Sequence, residues 1–78
     1  MDKKQARKNL RETRENISKQ ISELRRSRNL TIEYMSYETG IPSKYLEKLE
    51  NQLLEINLST LSQIARFFDK KIKIELVD

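Results

Sequence analysis

Lys3, Lys4, Arg7, Lys8, Arg11, Arg14 and Lys19 crowd the first twenty residues of this chain against only Asp2, Glu12 and Glu15. Such side chains bind anions, and a dense run of them suits a polyanion such as DNA. Seven minus three gives +4, which equals the formal net charge of the whole 78-residue chain. Residues 21–78 hold nine charges of each sign and are neutral. Catalytic chemistry is poorly provided for. The absence of histidine removes the usual general base, the usual zinc ligand and the ordinary pH switch near neutrality. With no cysteine there is no disulfide and no thiolate metal site, a composition that fits a reducing cytoplasm. A single glycine cannot build a glycine-rich phosphate cradle. The Asp, Glu, Lys, Tyr and Ser residues form no catalytic pattern, so neither enzyme activity nor a cofactor is expected.

The elements that must position these groups follow from apolar spacing. Between Asp2 and Arg28 there is no Gly or Pro, and Ala6, Leu10, Ile17, Ile21 and Leu24 recur at spacings of three, four and seven. That predicts one long amphipathic helix whose C-terminal half packs on a core and whose first residues project as a basic arm. Asn29 and Leu30 end it, and Thr31 is placed to cap a second helix running to Thr39, with Met35 and Ile32 on its inner side. Gly40 can take a positive φ and turn the chain sharply into Ile41 and Pro42. A third helix then runs from Pro42 or Ser43 to Asn51 with Leu46 and Leu49 inward. Two short helices joined by so tight a turn suggest a helix-turn-helix.

Residues 52–57 form an unusually apolar connection, with Leu53, Leu54 and Ile56. Asn57 is placed to cap a fourth helix with a buried stripe of Leu58, Leu61, Ile64, Ala65 and Phe68, ending near Asp69. Then Lys71, Ile72, Lys73, Ile74, Glu75 and Leu76 alternate strictly, which predicts a strand. It is the only strand signal in the chain, and a lone strand leaves its backbone groups unpaired. Pairing with the same strand of a second copy, crossing near Ile74, would set Lys73 against Glu75 and Ile72 against Leu76. A small core without disulfides also favours a dimer as a source of extra burial.

The set Leu24-Arg25, Leu30-Thr31, Met35-Ser36, Gly40-Ile41, Leu46, Leu49-Glu50-Asn51, Leu61 and Ile64-Ala65 resembles the Cro and phage-repressor type of helix-turn-helix, the XRE family. The resemblance implies an all-α, four-helix lambda-repressor-like domain, here with a long first helix and one short C-terminal β-strand pairing across a dimer. Charge distribution, resemblance and alternation together divide the chain into three parts: a basic N-terminal helical extension or arm at 1–20, the helix-turn-helix domain at 21–69 and a dimerisation strand at 70–78. In this family the third helix enters the DNA major groove, and the corresponding positions here are Ser43, Lys44, Glu47 and Lys48. Lysine can donate to guanine O6 and N7, and glutamate can accept from cytosine N4. Thr31 and Asn51 match positions that commonly hold phosphates in the family, and Arg25 and Glu50 match a structural pair between the first and third helices. Tyr45 can stack on sugar or touch a thymine methyl, and Gln52, next to Asn51, is expected at the DNA backbone.

Three departures stand out: Ile32 replaces a phosphate-reaching glutamine, Gln52 replaces a glycine, and Leu53 and Leu54 follow where Lys or Arg is common. The ending FFDKKIKIELV resembles that of antitoxins of the HipB and HigA kind, which repress their own operons as dimers and neutralise a partner toxin. The resemblance thus implies a cytoplasmic transcriptional repressor that binds double-stranded operator DNA as a homodimer. The alternative is a protein-binding module that neutralises a toxin. A membrane-surface role for residues 3–24 is disfavoured by a narrow apolar stripe lacking Trp and Phe. No run approaches the roughly 20 apolar residues of a membrane span, and the N-terminus is too charged for a signal peptide.

Overall fold

A computed structural model of the protein describes residues 3–53, 55 and 57–78. Of the apolar connection, Leu54 and Ile56 lie outside the described residues. Four helices follow in order: α1 (Lys3–Ser27), α2 (Ile32–Thr39), α3 (Ser43–Glu50) and α4 (Leu58–Phe67). α1 is unbroken across residues 20 and 21, so the basic arm is the free end of a core helix. At 1.5 Å per residue its 25 residues reach about 37 Å.

The core is built where the helices converge. Ile21 of α1, Met35 of α2, Ile41 of the turn, Leu46 and Leu49 of α3, Ile64 of α4 and Phe68 at its C-cap are all buried, with Ile17, Leu24, Leu30, Ile32, Tyr45, Leu61 and Phe67 packed around them. The spacing of Leu46 and Leu49 and of Ile64 and Phe68 puts each pair on one side of its helix, as the 3.6-residue period requires. Phe67 and Phe68 meet edge to face at 5.0 Å, and Tyr34 tilts onto Phe67 at 6.2 Å, tying α2 to α4. Leu58, expected in the buried stripe, is 59% exposed. It is the first residue of α4, and its side chain overhangs the end of the packed face.

Capping chemistry fixes both ends of α2 and the start of α4. Thr31 and Asn57 have extended backbones, and their side-chain oxygens accept from the backbone N–H groups of Tyr34 and Thr60. Gly40, at φ +77°, closes α2 by donating its N–H to Ser36 O at 2.9 Å. Thr39 Oγ1 braces the same turn, donating to Met35 O and accepting from Ile41 N–H.

The other three helices end in one common way. Asn29, Gln52 and Asp69 take positive φ of 55°, 62° and 57°. In each case two N–H groups fold back onto the last turn, as with Gln52 to Leu49 O at 3.2 Å and Leu53 to Lys48 O at 2.8 Å. This double closure satisfies carbonyls that the helix leaves open. Asn and Asp tolerate the left-handed region; Gln has no comparable local hydrogen bond to offset the strain.

Residues 70–78 carry no regular structure in the single chain. The strand expected at 71–76 is therefore not formed here, because a strand is completed by hydrogen bonds to a neighbour and the described residues supply none. Ile72 is half-buried, whereas Ile74 and Leu76 stand in solvent. Lys73 pairs with Glu75 of its own chain at 2.9 Å, an exposed contact that contributes little.

Candidate nucleic-acid interface

α3 separates its residues into two sides. Leu46 and Leu49 are buried, while Lys44, Glu47, Lys48 and Asn51 are exposed. Helical geometry gathers these four within about 100° of arc, opposite the core. The outer face thus offers lysine donors, a glutamate acceptor and an amide on one surface. Ser43 and Tyr45 are not fully part of it. Ser43 lies half-buried at its flank, and Tyr45 is half-buried with its ring against the core cluster. Thr31 and Gln52 are exposed at the start of α2 and just past the end of α3.

Two anchors from α1 hold α3 by its C-terminal turn. Arg25 donates from Nε to Glu50 Oε2 at 2.7 Å and from Nη2 to Oε1 at 3.0 Å, a fork-on-fork pair. Its third donor, Nη1, reaches Leu30 O at 2.9 Å, so one guanidinium joins α1, the entrance to α2 and α3. The Glu50 carboxylate, through this hydrogen bond and its charge, raises the Arg25 pKa above its ordinary value against the opposing effect of burial. The second anchor is Ser18, buried and donating from Oγ to Leu49 O at 2.7 Å. A serine in a charged helix gives little sign of a core role. The available signal was its place in phase between Arg14 and Ile21.

Two further contacts escaped the sequence pattern. Arg14 pairs with Glu55 of the α3–α4 connection, 41 positions away. Arg28 donates to Phe68 O at 3.1 Å and lies 5.2 Å from the Phe68 ring, binding the end of α1 to the end of α4.

The charge balance of the helix-turn-helix unit limits what it can do alone. From Thr31 to Asn51 there are two lysines, Lys44 and Lys48, and four glutamates, Glu33, Glu38, Glu47 and Glu50, so the segment totals −2. A segment of net negative charge supplies no general attraction to a polyanion. Among the described residues no His, Cys, Asp or Glu cluster could hold a metal ion, and no helix is long and apolar enough to cross a membrane.

Two short helices joined at a left-handed glycine, with the second braced from behind and polar in front, define a helix-turn-helix DNA-binding protein. The helix-turn-helix family model matches residues 21–74, more than half of the chain. The chain belongs to that family and is a transcription regulator of the Cro and phage-repressor type. No curated protein and no solved structure matches it. Residues 3–20, which carry the basic arm, lie outside the family match.

Proposed function

We propose that the protein is a cytoplasmic repressor that occupies operator DNA as a homodimer, with α3 of each copy in the major groove. The observation that carries this is the outer face of α3: Lys44, Glu47 and Lys48 stand together in solvent while Ser18 and Arg25 fix the helix from behind. Lys44 and Lys48 donate to guanine edges, Glu47 accepts from cytosine, and Ser43 contacts bases from the flank. Thr31, Tyr45, Asn51 and Gln52 approach the sugar-phosphate backbone on either side. Tyr45 contributes through its hydroxyl, since its ring packs on the core.

Dimerisation completes the strand that one chain cannot form. An open groove of about 920 Å³ runs between α1, α4 and the C-terminal segment, lined by apolar Ile17, Leu61, Ala65, Ile72 and Ile74 among others. The strand Ile72, Ile74, Leu76 of one copy pairs with that of the other across this face, and the two α3 helices meet half-sites about 34 Å apart. Selection of bound sites from a random DNA pool tests the reading. Wild type recovers a two-fold symmetric motif, and Lys44→Ala and Lys48→Ala broaden it at separate positions. Recovery of no motif by wild type overturns it.

The same groove also favours a second reading, an antitoxin-type module that seats a partner toxin. Co-purification of the product of an adjacent short reading frame, lost on substitution of the exposed groove residue Leu10→Asp, distinguishes it from a stand-alone regulator.

A further inference from the structure

Lys4, Arg7, Arg11 and Arg14 alternate by three and four residues along α1, and the alternation continues without a break into Ser18, Ile21 and Arg25. One side of the helix therefore changes character along its length. Its C-terminal half is the seam that packs on α3, through Ser18 to Leu49 O and Arg25 to Glu50. Its N-terminal half is basic throughout and exposed as far as Arg11. Arg14, at the junction, reaches the α3–α4 connection through Glu55. The basic side thus faces the same way as α3 and overhangs its C-terminal end. The apolar residues Ala6, Leu10 and Ile17 follow a different side of the helix, roughly 100° away, and lead to the groove at α4.

We infer that this overhang is a rigid outrigger for the DNA backbone: Lys4, Arg7 and Arg11 grip phosphates flanking the base pairs that face α3, at an offset set by the helix. The inference rests on the DNA-binding reading above and goes beyond it, because the arm acts by position as well as by charge. Ser18 marks the level of the end of α3. Arg11 then lies about 10 Å and Lys4 about 21 Å further out along the axis. Among the described residues none of Lys4, Arg7 and Arg11 has an acidic partner. Their side of the helix carries no apolar group that a protein partner would bury, so a polyanion is the fitting ligand. Since the helix-turn-helix unit totals −2, these cations supply attraction that it lacks.

Two variants separate position from charge. Lys4→Gln/Arg7→Gln/Arg11→Gln removes the cations. Insertion of two alanines between Glu12 and Thr13 keeps every charge but rotates the basic side by roughly 200° away from α3. Each is titrated against the duplex that wild type selects from a random pool, extended by a helical turn at both ends, across a salt series, with helix content checked by circular dichroism.

Loss of three phosphate contacts per copy, six per dimer, lowers the salt slope by about 5.4, so that raising salt from about 50 to 200 mM weakens binding about 1,800-fold less than in wild type. The inference predicts this change for both variants. A wild-type slope in the insertion variant makes the arm a phase-independent tether and overturns the inference, as does a wild-type slope in the triple variant. Those results leave the regulator reading intact. If wild type selects no site and binds no duplex, both fall together.

Discussion

Glu50→Ala removes one half of the pair that holds α3 to α1, and its cost can be worked from the geometry. The Arg25 and Glu50 side chains retain 15% and 8% of their exposure, and two hydrogen bonds of 2.7 and 3.0 Å join them. Breaking a fully buried pair costs about 3–5 kcal/mol, because the remaining charge has lost its partner but not its burial. Water still reaches Arg25 here, and its bond to Leu30 O survives, so about 2–3 kcal/mol is expected. In a domain of this size each kcal/mol moves the melting temperature by about 4–8 °C, which gives a fall of about 8–24 °C.

The double substitution Arg25→Met/Glu50→Leu should recover most of that loss, since apolar replacements of similar volume avoid the desolvation penalty. The assay is thermal and urea unfolding of wild type, both single variants and the double variant, with the coupling read from the cycle. The pH dependence follows from the Arg25 shift. A pKa raised in the folded state gives stability that is complete below the unfolded value and lost only as pH rises past the folded one. For an arginine both lie far above neutrality, so its contribution should stay flat between about pH 6 and 10. At temperatures where Glu50→Ala is folded, it should select the same DNA motif as wild type. Additive single effects, or a changed motif with unchanged melting, would refute the assignment of this pair to positioning.

The left-handed closures make opposite predictions at two positions. Gly40→Ala should cost about 1–2 kcal/mol from backbone strain alone, since no atom lies within 4 Å of the added Cβ; a melting point equal to wild type would contradict this. Gln52→Gly relieves the same strain at φ 62° and should raise the urea midpoint by the equivalent of about 0.5–1 kcal/mol after the entropy of the freer unfolded chain is counted. Ser18→Ala should cost about 1 kcal/mol rather than more, because Leu49 O keeps its bond from Gln52 N–H; a loss above about 3 kcal/mol would mean that Ser18 does more than pin α3.

What the sequence made legible was local. Thr31, Gly40 and Asn57 announce helix ends because their side chains, or the lack of one, solve a backbone problem within four residues. Leu46, Leu49, Ile64 and Phe68 announce inner faces through period alone. Contacts distant in sequence were legible only where a family pattern pointed to them, as with Arg25 and Glu50. Ser18 was missed because a helical serine looks the same whether its hydroxyl meets water or a carbonyl 31 positions away. Gln52 was read as a departure from glycine, yet the backbone keeps the left-handed turn that a glycine would take there. The alternation at 71–76 predicted a strand, yet residues 70–78 carry no regular structure, because alternation sets which side chains share a face but supplies no neighbouring strand to bond with.

The proposed repressor function requires the outer face of α3 to meet base edges in the major groove. Protection of guanine N7 from methylation on the selected duplex tests it most directly, since N7 lies in that groove and is an acceptor for Lys44 and Lys48. Wild type should protect guanines in both half-sites, and Lys44→Ala and Lys48→Ala should each restore reactivity at distinct positions while the duplex remains bound. Guanine N7 equally reactive in free and wild-type-bound duplex would contradict it.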